Sequence, residues 1–234
     1  MNNTKTILFR ASGVGALMVD PRSKADRESG VLSETAKSFV REQWLYNEYR
    51  YSEPIVTPQM FKGLICEQDA IEVVSDLIPC PEFRVKNVEN FVNDFFTGTP
   101  DVVLQTEGIV EDVKCSWTLK TFMNASVSKL YYAQLQVYMN LTKATTARLI
   151  YVLVDTPETI LKDEMMRLSY KFNNDDDNPY YLDCLEKLMS MHHVDHIPEE
   201  KRMKVFEFDY DPEFIEELQT RVEKAREYYN SLKL

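Results

Sequence analysis

A chain of 234 residues, 44% hydrophobic and 28% charged, is long enough for one well-buried domain and has the composition of a globular protein, not a disordered or fibrous one. Its 38 acidic against 27 basic residues leave a formal charge of −11, which argues against tight non-specific binding of nucleic acid by the whole surface. No apolar run approaches the ~18 residues of a membrane span, no basic-then-apolar leader opens the chain, and four scattered cysteines form neither a disulfide framework nor a zinc ribbon, so a cytoplasmic location without membrane attachment is expected.

In chain order, Ser33 caps a predicted helix whose apolar stripe is Ala36, Phe39, Val40 and Trp44. Thr57-Pro58 starts a second helix, with Phe61, Leu64, Ile65, Ile71, Val74, Leu77 and Ile78 as its core face. Gly63 and Glu67 lie four apart on its other side. A mid-helix Gly costs about 1 kcal/mol against Ala, so close approach by a backbone or ligand is expected there. Strand patterns follow at 83–85, 91–96, 101–104 and 109–115, then a helix at 126–141 and a buried strand at 146–154. Helices at 158–171 and 181–191, a strand at 204–209 and a helix at 211–232 complete the chain, with Asp211 as cap and Pro212 at the first position. This order predicts an α/β fold: a central mixed sheet flanked by helices, in a single domain of residues 1–234.

Chemistry concentrates in Gly98-Thr99-Pro100-Asp101 and, eleven positions after Asp101, Asp112-Val113-Lys114. Residues i and i+2 of a strand share a face, so Asp112 and Lys114 project together. The run 102–107 followed by Gly108 has hairpin length and turn chemistry, which returns the chain beside Asp101. Two carboxylates and an ammonium group converging in this way suit a hard cation and metal-assisted hydrolysis of a phosphodiester. Glu111 is expected on the opposite face, so Asp112 is assigned to the site and Glu111→Gln is expected to be nearly silent.

Pro100-Asp101, a spacer and Asp112-Val113-Lys114 together resemble the PD-(D/E)XK nuclease superfamily. Three flanking segments sharpen the resemblance toward its lambda-type (YqaJ-type) exonucleases of phage and bacterial recombination. Gly63 to Glu67 resembles their Gly-x-x-x-Glu helix, Tyr131 to Met139 their Gln-containing helix, and Phe9 to Gly15 their opening Arg/Ser segment. The motifs cover about residues 9–155; the C-terminal strand and helices from about 156 match nothing residue by residue. The acid before x-Lys is Asp112 where the group more often has Glu, and Arg10 and Ser12 are spaced more tightly than in the phage enzymes.

The resemblance implies a restriction-endonuclease-like core with helical C-terminal additions, and Mg²⁺-dependent hydrolysis of DNA with Mn²⁺ as a substitute. Asp101, Asp112, the Val113 carbonyl and Glu67 are the implied metal ligands. Glu67, Asp101, Asp112, Lys114 and Gln134 form the implied catalytic set, with Gln134 holding water, phosphate or Lys114, and Arg10 and Ser12 are the implied phosphate ligands. It further implies 5′→3′ digestion of duplex ends in recombination or repair, in a bacterial or phage-infected cytoplasm. A ring-forming homo-oligomer and a single-strand annealing protein are partners compatible with it. Rival readings are an endonuclease or single-strand-specific enzyme of the same superfamily and a catalytically silent DNA-end-binding module. The His192, His193 and His196 run is read as part of an acidic surface connection and not a zinc site. Asp175 to Asp177 lack the Gly and Glu of a calcium loop, and Cys184 alone near the C-terminus argues against an iron–sulfur cluster.

Overall fold

The computed structural model describes residues 7–54 and 57–234. Strand β1 (Phe9–Arg10) runs into the one-turn helix α1 (Ala11–Val14), followed by α2 (Lys24–Ser29), α3 (Glu34–Tyr49) and α4 (Pro58–Leu77). Then come β2 (Phe91–Val92), β3 (Phe96–Gly98), β4 (Val102–Leu104), β5 (Ile109–Cys115), α5 (Leu119–Met123) and α6 (Lys129–Thr142). The chain continues through β6 (Thr146–Val152), α7 (Glu158–Lys171), α8 (Pro179–His192), β7 (Met203–Asp209) and α9 (Pro212–Ser231).

Side-chain caps set the long helices. Ser33, Thr57, Ser128 and Asp211 each accept a hydrogen bond from the backbone N–H three residues on, satisfying a donor that the first helical turn leaves free. The main sheet has the order β4-β5-β6-β7: β4 is antiparallel to β5, β5 parallel to β6, and β6 antiparallel to β7. The parallel pair requires a crossover, which α6 supplies. A small sheet, β1-β3-β2, sits beside it. This is the mixed, helix-flanked sheet expected from the sequence.

Alternation along β5 sorts its side chains between two cores. Val110 joins Leu135, Met139, Leu149, Leu218 and Val222 in the larger cluster, built with α6, α9, α3 and the N-terminal segment. Val113 joins Cys66, Ile71, Val74, Ile150 and Val152 in the second, under α4. The part of the chain after 156 is therefore not all additions: β7 completes the sheet, and α9 buries Ile215, Leu218, Val222, Ala225 and Tyr229. Basic side chains of α9 also hold backbone carbonyls near the start of the chain. Arg221 donates to Leu17 O (3.2 Å), Lys224 to Gly30 O (3.0 Å) and Arg226 to Ile7 O (3.0 Å).

Several expectations change. Residues 83–85 form no strand, because Arg84 is drawn inward by an acid instead of pairing its backbone. The first half of α4 turns Phe61, Leu64 and Ile65 to solvent and buries Lys62, whose ammonium donates to Val154 O (2.7 Å) and Trp117 O (3.3 Å). Burial pushes the Lys62 pKa down to about 8, partly opposed by Cys66, Cys115 and Asp155. A Cβ at Gly63 would meet nothing within 4 Å, so no backbone approaches it. His192 is buried, not on the surface, with Nδ1 2.8 Å from Thr156 Oγ1 and its ring edge-on to Trp117, whereas His193 and His196 are exposed. Among the described residues no helix is long and apolar enough to cross a membrane.

Candidate active site

Gly108, at φ 66°, closes the β4–β5 hairpin in a left-handed conformation that suits a residue without Cβ. The hairpin lays Asp101 against the middle of β5, where its Oδ2 accepts a hydrogen bond from Val113 N at 2.7 Å. Asp112, 1% exposed, projects toward α6. Its Oδ1 accepts from Gln134 Nε2 (3.2 Å), and its Oδ2 lies 2.6 Å from Lys114 Nζ. That ion pair is close but poorly aligned, so Oδ2 is buried without a directed hydrogen bond. Lys114 Nζ also lies 5.6 Å from the centre of the Tyr131 ring.

Gln134 donates in addition to Tyr138 Oη (2.9 Å), and Tyr138 donates to Thr99 O (3.2 Å). This chain of bonds links β5, α6 and the turn before Asp101. Against the expected water, phosphate or Lys114, the protein partner of Gln134 here is Asp112, whose carboxylate it orients. Tyr138 belongs to the same chain. Gly98 makes room for it, since a Cβ there would sit 2.8 Å from the Tyr138 ring.

Glu67, on α4, pairs with Lys86 (Nζ to Oε2, 2.9 Å) in the segment between α4 and β2. That segment is pinned on both sides of Lys86. Arg84 donates to both oxygens of the fully buried Glu111 (2.8 and 3.1 Å) and to Ile78 O (2.6 Å). Asn87 donates from its backbone N to Asp101 O (2.7 Å) and from its side chain to Pro100 O (3.0 Å). Glu111 therefore faces away from Asp112 as expected, yet it is far from idle. It also pairs with Arg148, its neighbour across β6, at 3.3 Å. Arg84, Lys86 and Asn87 carry no motif, and a short basic run in a loop is the only sequence signal they offer.

Arg10 and Ser12 line a cavity of about 550 Å³ together with Asn90, Thr97, Thr99 and Tyr138, so Tyr138 connects this cavity to the hydrogen-bond chain that reaches Asp112. The helix that contains Ser12 is a single turn. So short a helix offers little dipole, and the guanidinium and the hydroxyl are the groups placed to bind an anion.

Burial, then the Asp112 charge, pushes the Asp101 pKa up to about 7, against the opposing pull of Lys114 and the Val113 N–H. For Lys114, burial works against the charge, but Asp112 and Asp101 outweigh it and raise its pKa above the ordinary lysine value. Lys114 is thus a firm cation in this state and not a base.

Among the described residues no three His, Cys, Asp or Glu side chains gather into a ready metal cage. The donors nonetheless fit a small hard cation. Asp101 and Asp112 are adjacent carboxylates, one with a buried oxygen lacking a directed partner. Mg²⁺ commonly binds through one or two carboxylates and keeps several waters. Asp101 must lose its proton for this, so divalent-ion binding should tighten as pH rises from about 6 to about 8, with proton release. Calorimetry in two buffers of different ionisation enthalpy measures both. Without ion, the raised Asp101 pKa means that the folded state holds a proton the unfolded chain has lost, so thermal stability should fall from about pH 4 to about pH 7.

No family model matches this sequence, and a search of curated proteins finds no significant match. Solved structures do match. A phage-related exonuclease from Haemophilus somnus 129PT is 27% identical with a TM-score of 0.77, over 98% of this chain and 96% of that one. An alkaline exonuclease (LHK-Exo) from Laribacter hongkongensis is 14% identical with a TM-score of 0.62, over 96% of this chain and 88% of that one. The same enzyme in complex with dAMP gives 0.60 over the same shares. The likeness to an exonuclease structure therefore extends beyond the four motifs and includes the region after residue 156 that sequence motifs leave unmatched.

Proposed function

We propose that this chain is a metal-dependent deoxyribonuclease that degrades linear DNA from duplex ends, 5′→3′, in recombination or repair, and that it works as a single catalytic domain. The observation that carries the reading is the convergence of Asp101, Asp112 and Lys114 at one hairpin, with Gln134 fixing the Asp112 carboxylate. Likeness to exonuclease structures over nearly the whole chain supports it.

In this mechanism Asp101, Asp112, the Val113 carbonyl and Glu67 would hold Mg²⁺ or Mn²⁺, which would supply Lewis acidity toward the phosphate and the attacking water. Lys114 donates to the attacking water and to the scissile phosphate, offsetting the negative charge that develops on it. Gln134 keeps the Asp112 carboxylate in one orientation by a bond to Oδ1, leaving Oδ2 for the cation. Arg10 and Ser12 take the terminal 5′ phosphate in the neighbouring cavity, the guanidinium by paired hydrogen bonds and the hydroxyl by one more.

The deciding experiment uses purified protein with Mg²⁺, linear duplex labelled separately at each end, and a closed circle. A duplex with 5′ phosphates should be degraded faster than its dephosphorylated twin, and Arg10→Ala should erase most of that difference. The circle should survive. Efficient cutting of the circle, or indifference to the 5′ phosphate, would replace the exonuclease reading with an endonuclease one, and inertness toward every substrate would favour a silent end-binding module.

A further inference from the structure

The ion pair between Glu67 and Lys86 has no part in the mechanism above, and its setting is unusual. Arg84 and Asn87 fix the backbone on either side by bonds to Glu111, Ile78, Pro100 and Asp101, while the Lys86 side chain itself remains 41% exposed. Among the described residues its ammonium meets one acid, Glu67 Oε2 at 2.9 Å. A firmly anchored base carrying a long, half-exposed cation beside Glu67, whose charge reaches Asp101, allows the cation to change partner without moving the chain.

Charge counting says what that change accomplishes. With all five groups ionised, the carboxylates of Glu67, Asp101 and Asp112 set against the ammonium groups of Lys86 and Lys114 leave one net negative charge. A divalent cation turns this into one net positive charge, matched to a phosphodiester. Without Lys86 the same uptake would end at zero.

We propose that Lys86 is a substrate-binding residue of this site: it holds Glu67 while no divalent ion is bound, and turns to a phosphate of the nucleic acid once Glu67 engages the ion. Nucleic-acid binding is thereby made conditional on the ion. The proposal rests on the reading of Glu67, Asp101 and Asp112 as the ion-binding set.

The test uses the full chain at pH 8. Mn²⁺ is titrated by calorimetry without DNA, and duplex binding is measured separately with Ca²⁺ present. K86M should bind Mn²⁺ about threefold to fivefold more tightly, the scale of one half-exposed ion pair removed from competition. The same variant should bind duplex about tenfold more weakly in Ca²⁺, the scale of one charge-assisted contact. K86R, which keeps the charge, should stay near the unaltered protein in both. Opposite signs in one variant distinguish this role from a structural one, which would weaken both or neither. Unchanged or weaker Mn²⁺ binding by K86M, or unchanged duplex binding, overturns the assignment of Lys86 and leaves the ion site standing. Absence of any Mn²⁺ uptake by the unaltered protein overturns the ion site itself.

Discussion

Lys114→Ala should slow cleavage by about 10²–10⁴-fold, the usual scale for losing a positioned electrostatic or acid–base group, while the protein stays folded and still takes up divalent ion. The geometry separates the two functions. Lys114 Nζ is within 2.6 Å of Asp112 Oδ2 but is not aligned with it, so its removal exposes a carboxylate oxygen and does not dismantle the pair of acids. Ion affinity should hold or rise, since a competing cation is gone. Asp112→Asn is the contrast, because it removes a charged ligand and should weaken ion binding and cleavage together. Single-turnover cleavage at saturating Mn²⁺, set beside calorimetric Mn²⁺ affinity, reads both. Turnover near the unaltered rate in folded Lys114→Ala would remove Lys114 from the reaction.

Glu111→Gln is expected to lose about 3–5 kcal/mol of folding stability, the cost of breaking a buried ion pair from one side. Glu111 is fully buried, Arg84 is 2% exposed by side chain, and the two are joined by paired hydrogen bonds with Arg148 as a third member. A neutral amide leaves the Arg84 charge buried without its counter-ion. Urea denaturation measures the loss directly. Replacing Arg84 and Glu111 together by apolar residues of similar volume should recover much of it, since neither charge is then stranded. A midpoint shift of a few tenths of a molar in urea for Glu111→Gln would mean that water reaches the pair. The near-silent outcome suggested by strand alternation alone is thus replaced: the facing is right and the consequence is not.

The limits of sequence reading have a common physical origin in these cases. Alternation correctly separates Asp112 from Glu111, because the pleat of β5 obeys a fixed period of two. Caps locate α3, α4 and α9, because a cap is a contact within four residues. What lies beyond local rules is any bond whose partners are far apart in the chain. Arg84 is drawn out of a strand pattern by Glu111, 27 residues away. Lys62 is buried where an apolar stripe predicts Phe61 and Leu64, because carbonyls 55 and 92 residues downstream accept its protons. Gln134 stands out in the sequence, yet its bond to Asp112 is visible only once α6 has been laid across β5.

The grip of α9 on the opening segment has a consequence for how the protein comes into being. Arg226 bonds Ile7, and Arg221 bonds Leu17, across more than 200 residues, while Arg10 and Ser12 lie between those two anchor points. Ribosomes extend chains at roughly 5–20 residues per second, so the segment with Arg10 waits on the order of 10–40 s for the helix that seats it. During that interval Asp101, Asp112 and Lys114 can already meet in their hairpin, whereas the cavity beside them lacks its outer support. A nascent chain still tethered to the ribosome would then carry the paired acids before the cavity of Arg10 and Ser12 is braced, and the finished arrangement would form only after α9 has cleared the exit tunnel.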